Sequence, residues 1–469
     1  MATRNEKLVK NTIILGFGQF LPKLTALVTL PILTAALTTS EYGIYDLILT
    51  AQSLLMPLMT LQIQQGIFRK LIQKGTAGAK EIVSSAYFFL LASFAIWCPI
   101  IIIFFHFAFK YSFAVTFFIY LFYLLYSLFD VFGQTVRGIG YNAKYSAGIV
   151  IYSVVNMILL LILYWMNRIS VISVFSISVV AYAIACLYYL VSSKLYEDIK
   201  IADANKNTRK ELLDYSIPMI PSSIALWVVN LSDRILVTIF LGTSLNGIYS
   251  VANRIPNLFA SVYTVFNLAW TETAARVMDK DSDADQYYTN MFSVMFKFLS
   301  GAMLLLISIS PLLFRILINE QFDEAFAQMP VLFMGVFFNC IVSFYGGIYV
   351  AKQQTKQVGI SSAVGAILNI VINLSMIHNF GLYAASVSTV VSFAIIAVYR
   401  GWDIRKYVDL KYNSVEISFC LISMFVYSIL CARRSVLINA IMFGVAIIWN
   451  LIFNRDMIIK MLTVVKRRK

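Results

Sequence analysis

Four basic residues, Lys23, Arg234, Arg254 and Lys297, lie inside long apolar stretches of the sequence. A cation at the middle of a membrane helix costs about 2.5–3.5 kcal/mol on insertion scales, so such residues need a carboxylate partner or a hydrated cavity. Asp46, Asp130, Asp233 and Glu272 could neutralise some of them. Asp233 and Arg234 are adjacent, however, and adjacent helical residues point about 100° apart. The alternative to pairing is a cationic cavity, which suits an anionic ligand. Phosphate suits it most, because guanidinium and ammonium donors match phosphate oxygens.

The elements that position these residues follow from composition. The chain has 469 residues, of which 60% are hydrophobic and 13% charged, with a mean hydropathy of +0.79. Soluble domains carry about 25% charged residues, and a membrane helix needs about 20 apolar ones. The fold class is therefore all-α and polytopic. The apolar runs are too solid for a β-barrel, whose strands alternate. Fourteen transmembrane segments are predicted at 10–37, 42–68, 82–105, 113–135, 145–166, 171–192, 212–241, 246–274, 288–318, 325–350, 357–378, 381–402, 414–431 and 435–454.

Counting Lys and Arg by loop puts twenty-eight on the side of both termini. Five lie on the other side: Lys110, Arg168, Arg315, Arg433 and Arg434. The positive-inside rule then places both termini in the cytoplasm. The net charge of +14 mostly reports this topology, and no nucleic-acid partner is expected.

Residues 37–47, LTTSEYGIYDL, and 241–251, LGTSLNGIYSV, share six of eleven positions at an offset of 204. Each falls on the outer turn between the first two helices of a six-helix set, which predicts two parallel repeats. The expected organisation is an N-lobe at 1–195, a cytoplasmic linker at 196–211 and a C-lobe at 212–405. Two further helices and a basic tail follow at 406–469.

Polar residues fall on single faces of the first two helices of each repeat. Helix 1 carries Gln19 and Lys23, and helix 7 carries Asn230 and Arg234 with Asp233 beside them. Helix 8 carries Arg254 and Asn257, and helix 2 carries Asp46 near its outer end and Arg69 near its inner end. The faces meet if the two halves oppose each other across a cleft. Lys23, Arg234, Arg254, Gln19, Asn230 and Asn257 are the candidate substrate-binding set. Asp46, Asp233, Lys297 and Arg69 are candidate cavity or coupling charges. Pro22, Pro31, Pro218 and Pro221 predict kinks in helices 1 and 7.

Other chemistry finds no footing. No GxxxxGK[ST] run is present, and the only histidines are His106 and His378. The stretch MDKDSDADQYYTN (278–290) begins like a calcium loop but has Ala284 for the required Gly and Asn290 for the terminal Glu. The five cysteines, all in apolar runs, read as buried thiols. No catalytic residue, metal or cofactor is expected.

Residues 10–47 contain the runs GFGQFLPK, TLPILT and EYGIYDL. They resemble the opening helices of bacterial polysaccharide flippases. These are the Wzx-type O-antigen and capsule repeat-unit transporters of the multidrug/oligosaccharidyl-lipid/polysaccharide superfamily. The resemblance implies two six-helix lobes plus two added helices, in the bacterial inner membrane. It implies an undecaprenyl-diphosphate-linked oligosaccharide carried from the cytoplasmic to the outer leaflet by alternating access through a cationic central cavity. A polysaccharide polymerase and chain-length machinery are implied as further partners. The rivals are a multidrug antiporter of the same superfamily and a membrane-embedded glycan-assembly enzyme. Membrane potential and ion coupling both stay open as driving forces.

Overall fold

The computed structural model describes residues 4–74, 78–278 and 284–455. Among them every regular element is helical. The helices are α1 (Arg4–Ala36), α2 (Thr39–Thr60), α3 (Ile63–Lys74), α4 (Ala79–Phe109), α5 (Phe113–Gly138) and α6 (Asn142–Trp165). They continue with α7 (Val171–Ser192), α8 (Leu195–Asp198), α9 (Lys206–Ser216), α10 (Ile220–Leu241), α11 (Thr243–Met278) and α12 (Ala284–Leu317). The last five are α13 (Met329–Ala351), α14 (Thr355–Phe380), α15 (Leu382–Asp403), α16 (Ser414–Cys431) and α17 (Val436–Phe453).

All fourteen predicted segments are helical, and two of them are broken. Among the described residues ten helices are long and apolar enough to span a membrane, or up to twelve if each bent pair is one span. Segment 42–68 becomes α2 and α3, bent by 57°. The break sits at Leu61 and Gln62, both with positive φ (46° and 56°). Thr60 Oγ1 accepts from the Gln62 amide, and Gln62 Nε2 donates to Ser223 Oγ at 3.1 Å. These side-chain bonds offset the lost helical ones, as irregular backbone at membrane depth requires. Segment 212–241 breaks between Val228 and Asn230, and Pro218 lies earlier, in a 3-10 turn, Ile217–Met219, between α9 and α10. Pro22 and Pro31 lie inside an α1 that remains one helix.

The chain forms two compact units, Met1–Val228 and Val229–Lys469. The hydrophilic stretch after α7 belongs to the first unit because it is tied to the start of α4. Ser84 Oγ donates to the Asp198 carbonyl at 2.8 Å and accepts from the Lys200 amide at 3.0 Å. Ser85 Oγ accepts from the Asn205 amide at 2.8 Å. The start of α10 is held in the same unit by Trp227, whose indole donates to the Thr50 carbonyl at 3.0 Å. The core of this unit gathers Met59, Ile63, Tyr87, Phe122, Tyr123 and Tyr189, all buried. Helix α1 lies close against α6 at Gly18, where an added Cβ would come within 2.7 Å of Ser146 Cβ. That close approach gives a packing reason for one glycine of the GFGQFLPK run.

In the second unit α13 packs against α11 and α15, and α14 against α15. Trp270 stacks on Phe344 at 4.3 Å and donates to its carbonyl at 2.9 Å. The added helices α16 and α17 dock on α12 through polar contacts. Lys297 pairs with Glu416 at 2.7 Å, and Asn450 Nδ2 donates to the Gly301 carbonyl at 3.1 Å.

Candidate functional site

The best-organised polar centre lies inside the second unit, around Asp233 of α10. Asp233 is 4% exposed. Three side chains from three other helices donate to its carboxylate. Thr389 Oγ1 of α15 reaches Oδ2 at 2.6 Å, Tyr249 of α11 reaches Oδ2 at 3.2 Å, and Asn373 Nδ2 of α14 reaches Oδ1 at 3.1 Å. Asn369 Nδ2, one turn from Asn373, donates to Thr389 Oγ1 at 3.4 Å. The carbonyl oxygens of Asn369 and Asn373 are buried with no hydrogen-bond partner. A carboxylate held by neutral donors, with two spare amide oxygens on the neighbouring helix, is a setting in which a proton or a small cation can be taken up.

Arg234 follows Asp233 directly in α10. It is half-buried on the next face of α10, as adjacency requires. Arg254 on α11 is also half-buried, and Asn230 and Asn257 are exposed within their unit. These four residues thus lie outside the unit's buried core, on the two helices to which the sequence pattern assigned them. Pro256, beside Asn257, sits within α11.

In the first unit Lys23 is exposed on α1, among exposed Phe20, Leu24 and Val28. The Gln19 side chain lies outside the described residues. Asp46 is fully buried on α2. Arg69 is exposed on α3, with its guanidinium 4.3 Å from the Tyr215 ring centroid on α9, and its neighbour Lys70 bonds Glu211. Lys297 has its partner in Glu416, a carboxylate that the sequence reading did not name. The aspartates at 279, 281 and 283 of the calcium-like stretch lie outside the described residues. Asp285 accepts from the Asp409 amide at 3.1 Å.

The turn EYGIYDL has a local explanation. Thr38 caps α2, and the Glu41 carboxylate accepts from the Thr38 amide at 2.9 Å while the Glu41 amide donates to Thr38 Oγ1 at 3.2 Å. This reciprocal pair is a capping box.

Sequence reasoning passed over Tyr249, Asn369, Asn373 and Thr389 as site residues. The two asparagines four residues apart in an otherwise apolar helix were the available signal, since an amide in a membrane helix needs a partner. The twenty-eight basic residues counted by loop on the side of both termini also included Arg400, and the structure places it inside a helix. Arg400 is 2% exposed within α15 and donates to the carbonyls of Val342 and Val358 and to the hydroxyls of Ser361 and Ser362. Four oxygen acceptors satisfy a guanidinium that would otherwise not be buried.

Known proteins share this architecture. A solved structure of the lipid II flippase MurJ, in an inward closed conformation, superposes with a TM-score of 0.66 at 15% identity, covering 95% of this chain and 100% of that one. An inward-facing multidrug resistance MATE family transporter of the MOP superfamily gives 0.64 at 13% identity, covering 87% and 95%. At these identities the likeness is one of fold. A probable low-salt glycan biosynthesis flippase, Agl15 of Haloferax volcanii, is 25% identical over 228 residues. The match spans 46% of each chain, about half the length of that curated relative. The model of the family described as polysaccharide biosynthesis protein matches residues 8–271. With more than half of its length matched, the chain belongs to the family of polysaccharide biosynthesis proteins.

Proposed function

We propose that the protein is a transporter, not an enzyme, and that it flips undecaprenyl-diphosphate-linked oligosaccharide from the cytoplasmic to the outer leaflet of the bacterial inner membrane. The observation that carries this reading is family membership over residues 8–271 combined with a flippase fold along nearly the whole chain. Alternating access moves the diphosphate and sugars through a cationic cavity to which Lys23, Arg234 and Arg254 contribute, with Gln19, Asn230 and Asn257 on the sugars. The prenyl chain stays in lipid. Asp233 serves as the coupling charge, its buried carboxylate taking a proton or a cation as transport proceeds. Asp46, Arg69 and Lys297 hold structure around the path. A polysaccharide polymerase and chain-length machinery act on the product after it has crossed.

Reconstitution in liposomes with a fluorescent lipid-linked oligosaccharide tests the activity. Lys23→Arg should retain substantial flipping, because a cation remains on a stem of similar reach. Lys23→Gln should lose most of it while the protein stays folded, since removing a cation from an apolar helix relieves an insertion cost. Restored flipping when Lys23→Gln is combined with neutralised Asp46 or Asp233 would show that Lys23 serves an ion pair, not the substrate. Topology has its own measurement. Cysteine placed at Asn205 should resist an impermeant thiol reagent in whole cells and react in inverted vesicles. Labelling from outside would overturn the assignment of leaflets.

A further inference from the structure

Helix α12, the 3-10 stretch Glu320–Gln328 and α17 enclose an open cavity of about 660 Å³. That falls within the about 300–1,000 Å³ typical of small-molecule sites. Its wall is mostly apolar, formed by residues such as Leu312, Ile318, Val436 and Phe443. Charges collect at one end. Arg434 is already engaged there, with the Asp323 carboxylate and carbonyl and with the Phe326 ring at 4.3 Å. Arg315 and Glu320 also line the cavity, and both are exposed. Neither makes an ion pair among the described residues. Asn439, one turn into α17, is 6% exposed and lines the same cavity. Its amide group donates to the Ser435 carbonyl at 2.8 Å, which leaves Oδ1 buried with no hydrogen-bond partner.

The cavity therefore offers a slot for hydrocarbon, one cation without a counter-ion, one carboxylate without a counter-ion and a buried amide oxygen in need of a donor. It sits where α12 ends and α17 begins, and the ends of membrane-spanning helices are where charged side chains meet lipid headgroups. We infer that this cavity is a binding site for a zwitterionic phospholipid bearing a primary ammonium, of the phosphatidylethanolamine type. The phosphate faces Arg315, the ammonium donates to Glu320 and Asn439 Oδ1, and an acyl chain fills the apolar slot. The polar groups select among lipids. A phosphatidylcholine head keeps the positive charge but carries no N–H, so it cannot hydrogen-bond Asn439 or Glu320. A phosphatidylglycerol head supplies no cation for Glu320. A bare polyprenyl chain uses only the apolar wall.

The site is independent of what the protein carries, and so is its test. Full-length delipidated protein is titrated with lipids of matched acyl chains and bound lipid is counted by native mass spectrometry. Phosphatidylethanolamine should bind about tenfold or more tightly than phosphatidylcholine, the size of a charge-assisted hydrogen bond. Glu320→Gln should bring that ratio towards one, because phosphatidylethanolamine loses a charge-assisted hydrogen bond and phosphatidylcholine only an unbonded charge pair. Asn439→Leu should narrow the ratio. Arg315→Gln should weaken both lipids, and Arg315→Lys should restore them. A photoreactive phosphatidylethanolamine should label the 312–318 and 436–443 segments. Equal affinities in the wild type, tighter phosphatidylglycerol, displacement by undecaprenyl phosphate or a ratio unmoved by Glu320→Gln would each overturn the assignment.

Discussion

Within each unit, the fifth and sixth helices of the repeat are joined by an amide–hydroxyl contact at the same position. In the first unit Ser178 Oγ donates to Asn156 Oδ1 at 3.1 Å. In the second, Asn369 Nδ2 donates to Thr389 Oγ1 at 3.4 Å. Asn156 and Asn369 are each the fifteenth residue of their helix, α6 and α14. Ser178 and Thr389 are each the eighth residue of theirs, α7 and α15. The tyrosine of the repeated turn is also shared, as Tyr45 and Tyr249. What differs is the charge. At the offset of 204, Asp233 corresponds to Thr29, and the nineteenth residue of α14, Asn373, corresponds to Leu160 of α6. The amide–hydroxyl clip is thus common to both units, and among the described residues it extends to a buried carboxylate in the second. The scaffold is symmetric at the clip and asymmetric in the buried carboxylate beside it.

Removing that asymmetry should have the largest effect. Asp233→Leu strands donors on Tyr249, Asn373 and Thr389, each costing about 1–3 kcal/mol if left unsatisfied. A loss of several kcal/mol in unfolding free energy is expected, together with loss of flipping. The matching change in the first unit, Thr29→Leu, falls on an exposed bond, Thr29 Oγ1 to the Ala26 carbonyl. It should cost within about 0.5 kcal/mol. Denaturant unfolding of both variants in one detergent decides the point, and equal losses would deny that the second unit is special.

These relations were unevenly legible. Hydropathy located every long apolar helix, because lipid leaves a long apolar run no other structure, but it passed over the short polar α8 and most of α9, which lie mostly within the stretch read as a linker. The segments at 171–192 and 414–431 coincide with α7 and α16. The break between α2 and α3 was hidden because neither Leu61 nor Gln62 is the Gly or Pro that marks a bend. Loops of unequal length hid the later part of the repeat. An offset of 204 aligns the first pair of helices, whereas 213 relates the asparagines and 211 the hydroxyls. The donors to Asp233 on α14 and α15 come from 140 and 156 residues away, so spacing could not announce them. Lys297 and Glu416 are separated for the same reason.

The clip itself should show a smaller contrast. Ser178→Ala removes a neutral hydrogen bond and should cost about 1 kcal/mol. Thr389→Val removes the corresponding hydroxyl, which in the second unit also donates to a carboxylate at 2.6 Å. Bonds to charged groups are worth about 1.5–3 kcal/mol, so this loss should be the greater. Thermal unfolding of the two variants measures it, and a larger shift for Ser178→Ala would mean that Asp233 draws little from Thr389.

The smallest contrast concerns how the repeated turn is built. Thr38 and Gly242 occupy the same repeat position. In the first unit the turn is held by side chains, through the capping box of Thr38 and Glu41. In the second, Leu245 replaces the glutamate, and the Asn246 amide donates to the Gly242 carbonyl at 3.2 Å with Gly242 at φ +94°. An added Cβ on Gly242 meets nothing within 4 Å, so any cost of substitution is conformational and not steric crowding. Gly242→Thr should therefore destabilise by about 1–3 kcal/mol, the strain of a β-branched residue at positive φ. Gly242→Ala should fall towards the lower end of that range, since it lacks the branch. Thr38→Gly should cost only a few tenths of a kcal/mol, because glycine is itself a tolerated N-cap, whereas Thr38→Ala should cost about 0.5–2 kcal/mol. Glu41→Ala should match Thr38→Ala if the two halves of the box act as one unit, and the double variant should then cost less than the sum. Additive losses at Thr38 and Glu41, or a Gly242→Thr variant as stable as the parent, would show that both turns are held by the same backbone preference.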